Sequence, residues 1–518
     1  MPISQGDLLF SLIKSLTKAE KRNFTLYVRR IQSEGDVKFF QLFEILEKQA
    51  NLDERAAMNK LEEPSKSKFS NLKRHLYQHI LTCLRLIHIS KQIDIQVREL
   101  IDYAQVLYGR GLYIQALKIL SRTKSMARSH NLDLLHLEIV EFEKKIESRH
   151  ITRSTTERIE QLQDEAKSRS AITERSIEWS NLKLHLQRLF ILEGHANNEA
   201  DRQKIKAAYE HKFLPTSISE HTFFEKIYFY QSLYWYHYIL LNIEQCHLYA
   251  QRWTDLYSEN PNMIAEDVDI YMMGLNHLLS TSFFLRDYNT FSDTLSRLEA
   301  FRKETYPRFN PNSKIFSFLY VHQGRLNKCF MNGQFEQGLD VIPRTLMRIK
   351  RYGSRIDPHK LQILYYKIAW MYMGAGQPGK AIEYLNKIIH SDSPHLREDI
   401  KAFAELVMLM AHFDLNNLDI LGYLVTSTTR KFAQLKAPSP LLLQTLEFFR
   451  QIAKLDWQKT RLKMQDFHAH LVLMEADPFQ RRAFTYLDVT SWLEGKIKQR
   501  PLQEIVQQKF DQRESVKS

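Results

Sequence analysis

Glycine and proline are scarce in this 518-residue chain, at 15 and 14, and no Ser-, Gly- or Pro-rich linker interrupts it. A sheet protein of this length would need many more turn residues, so long helices joined by short turns are predicted. Cysteine is scarcer still. Cys83, Cys246 and Cys329 are odd in number and far apart, which gives no disulfide framework. Long apolar runs are missing too. The greasiest stretch, IYFYQSLYWYHYILL at 227–241, is broken by Gln231, Ser232 and His237 and is shorter than a bilayer crossing requires. The start MPISQGDLLFSLIKSL lacks a basic segment followed by an apolar run, so no export signal is expected. These absences predict a cytoplasmic protein without a membrane segment, long enough for more than one domain.

Acidic residues are absent where basic ones gather. Residues 64–93 contain Lys66, Lys68, Lys73, Arg74, Arg85 and Lys91 and no acid. Residues 301–360 hold twelve Lys or Arg against Glu304, Glu336, Asp340 and Asp357. These two stretches carry the whole net charge of +13. Each is therefore a candidate surface for an anionic partner.

What is present is helical periodicity. Leu182, Leu186 and Leu189 share one face of LKLHLQRLFIL, and nothing alternates at period 2. Thr17-Lys-Ala-Glu20 and Ser154-Thr-Thr-Glu157 read as capping boxes, with a hydroxyl and a glutamate satisfying the amides a helix start leaves free. Turns recur at Gly111, near Ile151, at Gly194, at Asn242, near Asp287, at Gly333, at Gly376 and near Asn416, with strides of 40 to 48 residues. Each stride has room for one helix out and one helix back, the pattern of a stacked hairpin array.

At two of these turns the residues carry a family likeness. Tyr365, Ile368, Ala369, Tyr372, Gly376, Ala381, Leu385 and Ile388 resemble the tetratricopeptide repeat, as do Tyr103, Ala104, Leu107, Gly111, Ala116 and Leu120. The segment at Gly333 follows less closely, with Arg325 at an apolar position. Small residues at these positions let antiparallel helices approach closely. The stride exceeds the family's usual ~34 residues, so longer helices are predicted. The likeness implies an all-α, right-handed superhelical array (a solenoid) of antiparallel hairpins. Its predicted parts are a basic N-terminal helical cap (1–95), the array (96–435), and C-terminal capping helices with a polar tail (436–518).

MGAGQPGKAIEY at 373–384 also mimics a nucleotide-binding loop through Gly374, Gly379 and Lys380. That loop follows a β-strand and needs a hydroxyl after its lysine. Here the preceding LQILYYKIAWMY is helical in pattern and the next residue is Ala381, so a hinge is predicted. His75, His79 and Cys83 at i, i+4 and i+8 lack a nearby fourth ligand. The aromatic block 223–238 has rings on every helical face and reads as core. No catalytic residue, cofactor or metal is expected, and the chain is read as non-enzymatic.

The resemblance further implies that the first helix of each pair lines a concave face where a protein or peptide lies. It places Tyr320, Gln323, Asn327 and Phe330 on one such helix, and Ile363, Tyr366, Trp370 and Met373 on the next. Amides suit a peptide backbone and rings suit its side chains. The family's carboxylate-binding pattern needs a lysine where Gln323 stands, which argues against capture of a chain end. Arg344, Arg348 and Arg351 form a cationic stripe at i, i+4 and i+7 that could meet an acidic partner. An adaptor or scaffold is the leading expectation. The alternative is a transcriptional or RNA-linked regulator. In that case DERAAMNKLEEPSKSKFSNLKRHLYQHI, loosely like a helix-turn-helix, would meet nucleic acid through Lys73 and Arg74.

Overall fold

A computed structural model describes residues 5–31, 38–89, 92–196, 198–213, 221–391, 398–435, 438–453 and 455–517. Among them every regular element is a helix and none is a strand. The chain forms two compact units, 1–174 and 175–518. The boundaries expected at 95 and 435 do not coincide with this division.

In the first unit, α1 (Gln5–Ser15), α2 (Lys18–Ile31), α3 (Lys38–Lys48), α4 (Glu54–Lys60) and α5 (Lys66–His88) enclose one core. Phe24, Phe39, Phe43, Leu76 and Ile80 are its buried centre. The capping box that opens α2 forms as anticipated: Thr17 Oγ1 accepts the Glu20 amide at 3.2 Å, and Glu20 accepts the Thr17 amide at 2.7 Å. Next come α6 (Ile93–Gly109), α7 (Tyr113–Ser129) and α8 (Asp133–Arg149). Ala104 and Ala116 have zero exposure where α6 and α7 pack together, as close helix approach demands.

The stride between the turns at Ile151 and Gly194 departs from the expected hairpin. It is one 38-residue helix, α9 (Thr156–Glu193). Nothing in that sequence interrupts helix propagation, since it lacks glycine and proline throughout. The cap that opens it also lies one residue later than expected, because Thr155 Oγ1 rather than Ser154 accepts the Arg158 amide at 3.2 Å.

The second unit continues with α10 (Glu199–Tyr209), α11 (Phe223–Ile239), α12 (Ile243–Glu259), α13 (Val268–Phe284), α14 (Tyr288–Thr305) and α15 (Pro311–Asn332). Then follow α16 (Phe335–Leu339), α17 (Val341–Tyr352), α18 (Pro358–Gly374), α19 (Pro378–Ile389), α20 (Glu398–Asp414) and α21 (Leu418–Phe432). From α11 to α15 each helix packs on the next, and the same holds from α18 to α21. A second set of contacts links α13 to α15, α15 to α18, and α18 to α20. The chain ends in α22 (Pro440–Ile452), α23 (Trp457–Glu475), α24 (Pro478–Tyr486), α25 (Val489–Lys498) and α26 (Leu502–Lys517).

The anticipated turns lie between helices. Gly376 takes φ +69°, and Ala369 and Ala381 are wholly buried where α18 meets α19. Three of these anticipated turns use left-handed residues other than glycine: Leu241, Arg286 and Asn416, with φ of 58°, 55° and 58°. The segment before MGAGQPGK is α18, so the strand a phosphate loop needs is replaced by a helix. Lys380 is exposed and lies 5.6 Å from the Tyr372 ring centroid. The aromatic block forms core, with Phe229, Tyr234 and Tyr236 buried.

Candidate functional site

Helical spacing decides which side chains meet inside the second unit. On α18, Ile363, Tyr366, Lys367 and Trp370 follow at i, i+3, i+4 and i+7, so they form one stripe. On α15, Gln323, Asn327 and Phe330 do the same, and on α13 so do Asn276, Ser280 and Phe283. These stripes, with Tyr234, Trp235 and Tyr238 of α11, line a cavity of about 450 Å³. That volume lies within the range of small-ligand sites, ~300–1,000 Å³.

The remaining wall comes from the C-terminal helices, which fold back onto α11, α15 and α18. Tyr366 Oη donates to the Tyr486 carbonyl at 2.9 Å, and Trp370 Nε1 donates to Tyr366 Oη at 2.8 Å. Arg482 donates to Tyr486 Oη at 2.7 Å and lies over the Tyr238, Phe284 and Tyr486 rings. Helix α26 meets the turn after α15. Gln507 donates to the Gly333 carbonyl at 3.3 Å, and Gln503 accepts the Glu336 amide at 3.1 Å. A Cβ at Gly333 would come within 2.7 Å of the Gln507 backbone nitrogen, so this glycine serves both its turn and the docking of α26.

Lys367 is one of the cations on the cavity lining, with Arg286, Lys509 and Arg513. Its ammonium donates to Asn327 Oδ1 at 2.6 Å and lies 5.6 Å and 5.9 Å from the Phe283 and Phe330 ring centroids. Among the described residues no carboxylate forms an ion pair with it. Burial pushes its pKa down to about 8. Burial likewise holds His277 neutral, with a pKa of about 4, and keeps the Tyr366 phenol protonated by raising its pKa. Glu475, on the lining, is already paired with Arg286 at 2.6 Å.

The sequence-derived groove residues thus divide. Gln323, Asn327, Phe330, Ile363, Tyr366 and Trp370 come together on the cavity. Tyr366 and Trp370 are buried, Tyr366 by its bond to the chain's own C-terminal segment and Trp370 by its bond to Tyr366, so that segment occupies part of the face expected to lie open. Tyr320 is buried beside Phe316 with Lys360 over its ring, and Met373 sits in the core, so neither lines the cavity. Lys367 and Tyr486 were missed. Lys367 had a visible signal, being a lone charge inside the apolar run LYYKIAWMYM. Tyr486 had none, because it is 120 residues from the Tyr366 it contacts.

The cationic residues are also rearranged. Lys73 is not a free phosphate contact: it pairs with Glu54 at 2.6 Å and its side chain is 11% exposed. The acid comes from α4, outside the acid-free stretch that suggested the patch. Arg74 is exposed and donates to Asn71 Oδ1 at 2.9 Å. On α17, Arg344 and Arg351 are exposed, while Arg348 is half-buried and donates to Tyr306 Oη at 3.3 Å. His75 Nε2 lies 3.0 Å from His79 Nε2, and Tyr27 Oη lies 3.2 Å from His79 Nδ1. Among the described residues no group of three could hold a metal ion, and no helix is long and apolar enough to cross a membrane.

No family model matches the chain, and no curated protein or solved structure matches it either.

Proposed function

We propose that the protein is a non-enzymatic, cytoplasmic adaptor whose second unit is a superhelical array of tetratricopeptide-like hairpins that binds a protein or peptide. The observation that carries this reading is the convergence of Gln323, Asn327 and Phe330 with the rings of α11, α13 and α18 on one cavity. Amides that can meet a peptide backbone stand beside apolar surface that can hold its side chains. The contacts of successive helices from α11 to α15 and from α18 to α21, with those of α13 to α15, α15 to α18 and α18 to α20, support the array. The exposed arginines of α17, Arg344 and Arg351, suit an acidic partner beyond the cavity.

A photoreactive benzophenone residue placed at position 323 in cells tests the adaptor. Protein adducts are expected from 323 and not from position 423, where Tyr423 is 75% exposed on α21. An absence of adducts at 323, or equal adducts at both positions, would contradict the reading.

A further inference from the structure

We infer that the cavity is a binding site for an organic monoanion with an apolar body, its carboxylate seated against Lys367. This deepens the adaptor reading and rests on it only in taking the cavity as the place of binding.

A cation withdrawn from water is costly unless an anion or a full set of acceptors meets it. Lys367 has one described acceptor, Asn327 Oδ1, and no described carboxylate in an ion pair. Its ammonium has three donors, so capacity remains for a partner within the cavity. The acids elsewhere on the lining are engaged. Glu475 pairs with Arg286, and Asp488 caps α25 by accepting the Ser491 amide at 2.9 Å. Asp399 and Glu514 have partners of their own.

The surroundings say what the anion carries. Phe283 and Phe330 flank the ammonium, and further rings of α11 and α18 line the same space. Inorganic phosphate would leave those surfaces facing water, whereas a carboxylate on an aryl or alkyl chain would cover them. The amide of Asn327 lies beside the ammonium, and that of Gln323, four residues away on α15, lines the same cavity, so both can supply neutral donors. The volume of about 450 Å³ admits a body of this size. The pKa pushed down to about 8 agrees with this geometry: burial opposes the charge, yet leaves it in place at neutral pH for an anion to relieve. The same chemistry occurs on free organic acids and on the terminal carboxylate of a peptide.

Calorimetric titration of the full chain with phenylbutyrate and with phenylbutanamide compares two ligands of like shape that differ in charge. Wild type is expected to prefer the acid by about tenfold or more, the scale of a charge-assisted hydrogen bond. Lys367→Met should reduce the acid to the level of the amide, and Lys367→Arg should keep the preference. A tripeptide ending in phenylalanine, as free acid and as amide, forms the second arm. An acid preference there assigns the site to chain ends as well, and a preference confined to phenylbutyrate assigns it to free acids.

In wild type alone, bound phenylbutyrate should slow reductive methylation of Lys367, read by peptide mass spectrometry. No binding at millimolar concentrations, equal binding of acid and amide, or a preference that survives Lys367→Met would each overturn the inference. Protein adducts at position 323 without any acid preference would remove the anion site and leave the adaptor. An acid preference without adducts would do the reverse.

Discussion

Replacing Lys367 by methionine should stabilise the second unit at neutral pH and lose that effect in alkali. The lysine pKa falls from its ordinary 10.5 to about 8 through burial alone. At ~1.4 kcal/mol per pH unit this is a cost of about 3 kcal/mol on the charged folded form. Lys367 is part-buried rather than buried by surface area and lines the cavity, so about 1–3 kcal/mol is the expected gain from Lys367→Met at pH 7. Methionine preserves an unbranched apolar stem, which limits the change in packing. The sign follows from linkage. The folded pKa lies below the unfolded one, so between about pH 8 and 10.5 the unfolded chain binds more protons. Wild-type stability therefore rises through that window while the lysine penalty fades, and the variant, lacking the group, gains nothing there. Other titrating groups cancel in the difference between the two proteins.

Tryptophan fluorescence during urea unfolding is the assay. All six tryptophans, from Trp179 to Trp492, lie in the second unit, so the signal reports on it alone. The midpoint of Lys367→Met should exceed that of wild type at pH 7 and approach it near pH 10. A midpoint difference that does not change with pH would refute the idea that this ammonium carries a burial cost.

Glycines of the false phosphate loop should respond in opposite directions. A Cβ at Gly374 would overlap the Phe335 ring, so Gly374→Ala should cost about 1–3 kcal/mol in urea unfolding. Gly379 has nothing within 4 Å of an added Cβ, and Gly379→Ala should be neutral or stabilising by up to about 1 kcal/mol. The wholly buried Glu225 accepts the Thr222 amide and Arg175 Nε, both at 2.6 Å. Glu225→Ala should lower stability by about 2–4 kcal/mol, moderated because Arg175 can reach water, again read by tryptophan fluorescence. In the first unit, Lys124 bridges the buried Glu143 at 2.7 Å and Glu165 at 2.8 Å. Lys124→Met should leave Glu143 to Arg158 and cost about 2–4 kcal/mol. Faster amide hydrogen exchange across 133–149, with no change in the second unit, is the expected signature.

Chain composition and local spacing determined the secondary structure and much of the pairing. Scarce glycine and proline specify long helices, and turn residues such as Gly376 need only their own φ and the next turn of helix. Ala104 with Ala116, and Ala369 with Ala381, announce close helix crossings because a small side chain has the same consequence wherever two helices meet. The stripe of Gln323, Asn327 and Phe330 was likewise visible, since period 3.6 places it on one face.

Tertiary structure decided what those faces touch. Whether Lys73 is a free cation depends on Glu54, on the neighbouring helix. Whether Tyr366 and Trp370 face an open groove depends on Tyr486, 120 residues onward. Lys367 stood out in the sequence only as a lone charge in an apolar run, and its chemistry follows from the rings, amide and C-terminal wall gathered around it. Local propensity is a short-range property of the chain. Burial and electrostatics at a site are sums over groups brought together by folding.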